Sequence, residues 1–193
     1  MQHIPIILAS QSSARKALLR QAGIRFRAVP ANIRERVLKG RPYQETVIFN
    51  ALKKAQCVAR RYRQGIIIGA DTIVVVNKHI VGKPRTFREA QRILRELCRA
   101  PQWVYTGIAV INAQTGRVAT GYEKTKVYLC PLSDDDIALY LAKVPYADKA
   151  GGFDIQSRGS IFVRRIEGCF NNVVGLPMSK LAVLLEKVGY KLF

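Results

Sequence analysis

One carboxylate interrupts the most apolar stretch of this chain. Asp71 lies between Ile66-Ile-Ile-Gly-Ala and Thr72-Ile-Val-Val-Val, where burying an unpaired charge would cost several kcal/mol or more. It must therefore meet a cation, a metal ion or a strong hydrogen-bond donor, or lie at the open end of a strand. A buried carboxylate that pairs with an arginine or caps a turn is one interpretation, and a general base or metal ligand is the other. Gly69 allows another group to approach the backbone closely here.

A second candidate site lies near the N-terminus, where an apolar strand (residues 4–8) meets a serine-rich turn. Ser10 and Ser12 offer hydroxyl and backbone N–H groups, and Arg15 with Lys16 places two cations in the first turn of the next helix. Helix N-termini favour anions rather than cations. A bound anion between the cations and the orphan N–H groups would explain the pattern. A serine N-cap followed by a solvated basic face is the alternative.

Three more charged residues are candidates on weaker grounds. Glu35 is the only acid in residues 1–44, and it is either an ion-pair partner or a metal ligand. Lys83 follows a strand in a turn-forming sequence, where a surface lysine is the alternative interpretation. Lys54 lies at the edge of the apolar stripe of a helix, where a lysine commonly extends its ammonium group to solvent.

A glycine-rich polar loop is predicted over residues 148–160. Gly151 and Gly152 permit close approach of the backbone to a ligand. Gln156 could read the edge of a base, because its amide both donates and accepts hydrogen bonds. A surface loop without a ligand is the alternative.

The charge of the chain is strongly positive and unevenly distributed. The formal net charge is +19, and residues 1–100 alone hold 21 Lys/Arg against 5 Asp/Glu. Such a field favours polyanionic ligands, namely nucleotides, nucleic acid or an acidic membrane. No signal peptide is recognised at the N-terminus and no run of 18 apolar residues occurs, so we expect a cytoplasmic protein without a membrane span. With two His and no CxxC pair, a zinc site is not expected.

Strands and helices alternate along the chain, which predicts an α/β fold with a mixed central sheet. Helices are predicted over 14–21, 46–63, 87–99, from Ser133, and over 177–188; strands over 4–8, 65–76, 79–81, 103–112, 117–130 and 161–166, with 25–33 a short strand or an extended segment. A turn at Asn77-Lys78 joins the strands over 65–76 and 79–81.

The candidate residues fall in a series of short motifs: Leu8-Ala-Ser10 with Ser12, Arg15 and Leu18-Leu19; Glu35; Lys54-Ala55; Gly69-Ala-Asp71-Thr72; Gly82-Lys-Pro84; Tyr105-Thr-Gly107; Asp148-Lys-Ala-Gly151; Ile155-Gln156; and Val173-Val-Gly-Leu-Pro177. Together they resemble the Maf family of nucleoside-triphosphate pyrophosphatases. Each motif is weak alone, whereas their order from end to end makes the resemblance specific.

The resemblance implies a Maf/ITPase-like two-lobed fold, with a mixed twisted central sheet and a cleft between the lobes, in one domain over residues 1–193 without a linker. It implies an enzyme that hydrolyses nucleoside triphosphates to monophosphates and pyrophosphate with a divalent cation, Mg²⁺ or Mn²⁺. Family members are cytoplasmic, often homodimeric, and tied to cleaning of the nucleotide pool and to arrest of cell division.

The resemblance also assigns roles to single residues. Asp71 matches the proposed proton acceptor. The residues that match the lining of the substrate cleft are Ser10, Arg15, Glu35, Lys54, Lys83 and Gln156. Their chemistry agrees: Ser12, the other hydroxyls and the cations would hold the triphosphate and offset its charge. Glu35 and Asp71 could share a metal ion through their oxygens, and the metal would lower the pKa of the attacking water.

Base specificity depends on positions where the chain departs from the family. Ala14 stands where the branch acting on dTTP and UTP usually has arginine and the branch acting on 7-methyl-GTP has tryptophan. Thr72 and Gln156 match the pyrimidine branch, but Ser157 replaces a usual glycine. We therefore expect a dTTP/UTP-type pocket with slack around the base, and 7-methyl-GTP or a broad set of modified nucleotides is the alternative.

A hypothesis from another class is a weakly active protein that binds nucleic acid or regulates cell division. The basic first half of the chain favours nonspecific binding of nucleic acid. Against it, aromatic residues are not interleaved with the basic residues as in a stacking platform for single strands.

Overall fold

The computed structural model describes residues 4–146 and 150–192, and in these ranges helices and strands alternate as predicted. The strands are β1 (Ile6–Leu8), β2 (Arg27–Ala28), β3 (Ile66–Val76), β4 (His79–Val81), β5 (Gln102–Asn112), β6 (Val118–Leu129) and β7 (Val163–Glu167). The helices are α1 (Ser13–Gln21), α2 (Tyr43–Ala59), α3 (Phe87–Arg99), α4 (Asp134–Ala142), α5 (Phe170–Val174) and α6 (Met178–Lys187). No helix in these ranges combines the length and the hydropathy that crossing a membrane requires.

Several element boundaries differ from the sequence prediction by a few residues. The helix predicted over 46–63 begins at Tyr43 and ends at Ala59. The strand predicted from residue 161 begins at Val163, because residues 158–162 form a short 3-10 helix instead. The short helix α5 has no counterpart in the prediction, since five residues give too little periodicity to detect.

The strands of the described residues form one mixed sheet in the order β2-β1-β3-β5-β6-β7, with β4 also paired to β3. β1 is parallel to both β2 and β3, whereas β4 is antiparallel to β3 and β7 is antiparallel to β6. The predicted class, α/β with a mixed sheet, is therefore confirmed. β1 stops at Leu8, which pairs with Ile68, so β3 continues past the carboxyl end of its neighbour.

The chain divides into two compact units. Unit 1 comprises the described residues of 1–72, 106–123 and 174–193, and unit 2 comprises those of 73–105 and 124–173. In unit 1, side chains of β3 alternate between two apolar clusters, as the period of a strand requires. Ile66 and Ile68 pack with residues of α1 and α6, while Ile67 packs with residues of α2. In unit 2, the core is formed by α3, α4 and the strands against which they pack.

Helix α2 lies directly on the backbone of the sheet in unit 1. A Cβ added at Gly69 would be 2.2 Å from the carbonyl oxygen of Ala51, and one added at Gly107 would be 2.3 Å from the carbonyl carbon of Val47. The close approach expected at Gly69 is thus real, but the group that approaches is a helix rather than a ligand. Because these two glycines have no side chain, the backbone of α2 packs closely against the sheet. This distance also determines how far the side chains of α2 reach toward β3.

Gly107→Ala should therefore destabilise the protein. The new methyl group meets helix backbone rather than a flexible side chain, so α2 must move. We expect the free energy of unfolding to fall by about 1–3 kcal/mol or more in urea titrations. Gly82→Ala is the matched control, because a Cβ there has no atom within 4 Å, and equal unfolding free energies for the two variants would contradict the explanation.

Candidate active site

Three polar residues lie on the buried face of α2. Thr46, Asn50 and Lys54 follow one another at intervals of four residues, so they share one side of the helix, and they are only 1%, 3% and 9% exposed. Lys54 was expected at the edge of the stripe with its ammonium in solvent. That alternative interpretation of Lys54 is wrong, because the ammonium points into the protein and finds three acceptors there.

The polar face of α2 holds an irregular segment, residues 29–38, that has no ladder of its own. The Leu38 N–H donates to Thr46 Oγ1 at 3.1 Å. Arg36 and Asn50 exchange two hydrogen bonds of 3.0 Å, in which the Asn50 amide serves both the N–H and the C=O of Arg36. Glu35 is therefore placed by side chains of a helix rather than by its own secondary structure.

Asp71 of β3 meets a cation and an amide donor, as its burial requires. Its side chain is 4% exposed. Lys54 Nζ donates to Asp71 Oδ1 at 2.7 Å, and Asn50 Nδ2 donates to Oδ2 at 3.0 Å. The same ammonium donates to Glu35 Oε1 at 2.5 Å and to the carbonyl oxygen of Ala70 at 3.2 Å. All three N–H groups of Lys54 are thus used, and in this structure Lys54 bridges two carboxylates; its predicted contact with phosphate stays a prediction.

The pKa values of Asp71 and Glu35 are shifted in opposite directions. Burial raises the pKa of Asp71 above its ordinary value, against the opposing charge and hydrogen bond of Lys54, and the nearby charge of Glu35 raises it further. Burial alone would also raise the pKa of Glu35, but the hydrogen bond and charge of Lys54 prevail and leave that pKa lowered. Asp71 is therefore the more basic of the pair, as a proton acceptor should be.

A second cluster surrounds the start of α1. Ser12 is the N-cap of this helix and accepts from the backbone N–H of Arg15, as the sequence predicts. The Arg15 guanidinium donates through Nε to the carbonyl oxygen of Gly175 at 2.8 Å, through Nη1 to Ser10 Oγ at 3.2 Å, and through Nη2 to Thr72 Oγ1 at 2.9 Å. Burial lowers the pKa of Arg15, while the charges of Asp71 and Glu35 act in the opposite direction.

Both clusters belong to unit 1 and lie past the carboxyl end of β1. Asp71 and Thr72 are neighbours in β3, so their side chains point to opposite faces of the sheet. Because β1 has ended at Leu8, no neighbouring strand separates the two faces on that side. Ligands of open α/β sheets bind in such a position, outside the carboxyl ends of strands. The sequence-predicted residues that the structure brings together here are Ser10, Ser12, Ala14, Arg15, Glu35, Lys54, Asp71 and Thr72.

Lys83 and Gln156 belong to unit 2, and both are exposed. The backbone N–H of Gly151 donates to the carbonyl oxygen of Gly82 at 3.1 Å, which places the glycine-rich loop beside the turn that carries Lys83. The backbone N–H of Gln156 is held by Asp154 Oδ1 at 3.0 Å.

The two loop glycines have a structural reason to be glycine. Gly151 and Gly152 adopt φ values of 76° and 65°, which side chains rarely tolerate. A Cβ on Gly151 would lie 2.9 Å from Leu97 Cδ1, so the close approach expected for a ligand is made to α3. Asp148 and Lys149 of the predicted motif lie outside the described residues.

Sequence analysis missed several residues of the two clusters. Asn50 orients Asp71, Thr106 shares a hydrogen bond of 2.9 Å with Thr72 Oγ1, and Gly175 supplies an acceptor to Arg15. A signal for Asn50 existed, because a polar residue four positions before Lys54 on an apolar stripe is unusual. Thr106 and Gly175 fall in two motifs of the family resemblance, but their contacts were not predicted, since these depend on strands and helices that are distant in sequence.

The donor set fits a magnesium or manganese ion. Both metals prefer oxygen ligands, and Mg²⁺ is commonly held by one or two carboxylates together with phosphates of the substrate. Glu35 and Asp71 converge on one ammonium, and the Glu35 side chain is 59% exposed and so within reach of a ligand. In residues 4–146 and 150–192, no group of three or more His, Cys, Asp or Glu side chains is assembled for a metal. An ion here would therefore depend on the substrate to complete its coordination.

Comparison with known proteins identifies the class. The family described as Maf-like protein matches residues 5–188, and the chain belongs to this family, which confirms the resemblance. A relative in Caldicellulosiruptor bescii named dTTP/UTP pyrophosphatase is 42% identical over 97% of this chain and 96% of its own length. A relative of the same name in Dictyoglomus turgidum is 43% identical over 97% of each chain.

One more relative and one solved structure are also similar to this chain. A relative in a Synechococcus species, 40% identical over 97% of this chain and 96% of its own length, is named nucleoside triphosphate pyrophosphatase. Among solved structures, the Ham1 protein of Staphylococcus aureus shows 15% identity and a TM-score of 0.47 over 94% of this chain and 98% of its own.

Lys54→Met should destabilise the protein in a pH-dependent way. Without its cation, the buried Asp71 carboxylate costs about 3–5 kcal/mol of unfolding free energy at neutral pH. A raised pKa in the folded state means that protonation relieves this cost, so the loss should shrink as the pH falls through the folded pKa of Asp71. Urea titrations at neutral and mildly acidic pH measure it.

Two variants control this experiment. Lys53→Met removes an exposed lysine from the same helix and should change stability by less than about 0.5 kcal/mol. The double variant Lys54→Met/Asp71→Asn should recover most of the loss, because the uncompensated charge is gone. A loss that is the same at both pH values, and that the double variant does not recover, would contradict the ion-pair explanation.

Proposed function

We propose that this protein is a nucleoside triphosphate pyrophosphatase that converts dTTP and UTP to their monophosphates and pyrophosphate. The relatives of that name share about 40% identity with nearly the whole chain. One observation in the structure carries the proposal: a buried carboxyl with raised pKa, Asp71, lies beside a second carboxylate past the carboxyl end of β1. In this arrangement Asp71 would be the general base, and the N-terminus of α1 beside it would bind phosphate.

The start of α1 would hold the triphosphate. Three of the five N–H groups of Arg15 donate to protein oxygens, and within the described residues the other two have no hydrogen-bond partner. Those two N–H groups, the hydroxyls of Ser10 and Ser12 and the first N–H groups of the helix form an anion-binding surface. Since the protein bonds already fix the guanidinium, little side-chain entropy is lost when a phosphate binds. Lys83 belongs to unit 2, and its contact with phosphate stays a prediction from the family resemblance.

Asp71 would accept the proton of the attacking water. The water oxygen forms a bond to the α-phosphorus, the bond from that phosphorus to the bridging oxygen breaks, and pyrophosphate leaves. Asn50 and Lys54 hold one Asp71 oxygen each, so the carboxylate keeps one orientation as the proton is transferred. Glu35 and Asp71 are the residues that would hold Mg²⁺ or Mn²⁺, which when bound lowers the pKa of water and offsets phosphate charge.

For the base, we propose a pyrimidine pocket with loose fit. Thr72 Oγ1 is hydrogen-bonded to Arg15 and Thr106, so its first effect on specificity is to orient Arg15. Ala14 is half-buried at the second position of α1, where its methyl group offers neither the guanidinium of the pyrimidine branch nor an aromatic face. Cytoplasmic location, homodimer formation and a role in cell division stay predictions from the family resemblance.

A nucleotide panel tests the proposal. With Mg²⁺ or Mn²⁺, pyrophosphate release should be faster with dTTP and UTP than with 7-methyl-GTP, and modified pyrimidine triphosphates should also be substrates because the pocket is loose. Addition of a chelator should abolish release. A preference for 7-methyl-GTP over UTP would show that the assignment from Thr72 and Gln156 is wrong.

Asp71→Asn tests the base. The amide keeps the size of the side chain but cannot accept the proton, so kcat should fall by about 10²–10⁴-fold with nucleotide affinity largely retained. Stopped assays of pyrophosphate release and equilibrium binding of the nucleotide measure the two effects separately. Asp135→Asn, at an exposed carboxylate in α4, is the matched control and should keep full activity; near-normal turnover of a folded Asp71→Asn protein would refute the role.

A further inference from the structure

One face of the sheet in unit 2 carries alternating aromatic and basic side chains. Lys124, Lys126 and Tyr128 occupy alternate positions of β6 and so share a face, beside Trp103 and Tyr105 of β5. We call this surface the aromatic–basic face; its members are Trp103, Tyr105, Lys124, Lys126, Tyr128, Arg164 and Arg165. The prediction that aromatic and basic residues are not interleaved is therefore wrong, because the interleaving arises from strands that are adjacent in the sheet but distant in sequence.

Four cations lie over two rings on this face. Lys124 Nζ and Lys126 Nζ are 5.2 Å and 5.4 Å from the centre of the Trp103 ring. Lys126 Nζ is also 5.2 Å from the centre of the Tyr128 ring. Together with the arginine contacts described next, five cation–π contacts fall on the rings of Trp103 and Tyr128.

An irregularity in the pairing of β6 and β7 adds the remaining cations. Tyr128 pairs with Arg165 whereas Leu129 pairs with Val163, so Arg164 is the extra residue of a bulge. As a result both guanidinium groups reach one ring: Arg164 Cζ and Arg165 Cζ are 5.8 Å and 4.9 Å from the centre of Tyr128. A regular pairing would have sent the two arginines to opposite faces.

The aromatic–basic face carries more basic than acidic side chains. Glu167 is the carboxylate on β7 that reaches it, where it forms an ion pair with Arg165 and accepts from the Tyr128 hydroxyl at 3.2 Å. The four basic side chains Lys124, Lys126, Arg164 and Arg165 outnumber this carboxylate. The chain as a whole carries +19, which adds long-range attraction for a polyanion.

We propose that the aromatic–basic face binds single-stranded nucleic acid. Rings that stack bases, set among cations that follow the backbone, are the two features that such sites combine. Trp103 and Tyr128 are half-buried, so part of each residue stays accessible to a base. The lysine side chains are long enough for an ammonium to leave the ring for a phosphate when a base takes its place.

An unpaired base is required for this mode, since a base inside a duplex has no free face to stack. The face shares no residue with the candidate active site. Binding there is therefore independent of pyrophosphate release and can be present whether or not the proposed enzymatic activity is correct.

Trp103 is the single tryptophan of the chain, and it reports binding directly. An oligo(dT) with a 5′-hydroxyl, which carries no triphosphate, should quench its fluorescence. A duplex of the same length should quench it much less. The logarithm of the affinity should fall with the logarithm of salt concentration, with a slope of about −2 to −3 if three or four phosphates are contacted.

Variants distinguish binding at the aromatic–basic face from attraction by the overall positive charge of the protein. Lys124→Ala/Lys126→Ala should reduce the magnitude of the salt slope by about 1.4. Arg60→Ala/Arg61→Ala removes the same charge from exposed positions at the end of α2 and should leave the slope unchanged. Trp103→Leu, followed by anisotropy of a labelled oligonucleotide, should weaken binding about 5- to 150-fold through the loss of one stacked base. All three variants should release pyrophosphate from dTTP like the parent protein.

Three outcomes would overturn the proposal. One is unchanged Trp103 fluorescence at saturating oligo(dT). Another is an equal loss of affinity in the two double-alanine variants, which would mean that the overall positive charge alone explains the binding. The third is a fluorescence change that follows protein concentration without oligonucleotide, since that would make the face an interface between copies of the chain.

Discussion

The ammonium group of Lys54 is the contact on which the candidate site depends. It joins two carboxylates, one from the irregular stretch before α2 and one from β3. Without that cation, the two negative charges would repel each other and the buried one would have no compensation. Their opposite pKa shifts follow from the same contact, because Glu35 is exposed enough for Lys54 to dominate while Asp71 is buried too deeply for Lys54 to offset the loss of water.

The position of that ammonium depends in turn on how closely α2 approaches the sheet. Gly69 and Gly107 remove the side chains that would otherwise hold the helix away from β3 and β5. The side chain of Lys54 has a fixed length, so a helix displaced outward would present its nitrogen short of Asp71. The same two glycines therefore determine both the packing of α2 and the position of the Lys54 ammonium, although they contact none of the polar atoms of the site.

The amino-acid sequence predicted much of this arrangement, and the reasons for success and failure differ. Asp71 and the Ser12 cap were predictable because a local pattern, an acid in an apolar strand and a serine before a helix, carries its own physical meaning. The inward direction of Lys54 was missed because one residue of helix phase decides whether a lysine lies at the edge or the centre of a stripe. The aromatic–basic face was missed because its alternation runs across three strands, and no window along the chain contains it.

The way in which residues 29–38 are held has a consequence for motion. Strands of the sheet are retained by ladders of hydrogen bonds that must break together, whereas residues 35–38 of this segment are attached to α2 through a few separate side-chain bonds. Proteins open locally where such attachments are few, at a free energy well below that of global unfolding. Local opening would therefore separate Glu35 from Lys54 at a lower free energy than it would displace Asp71, which belongs to a central strand of the sheet.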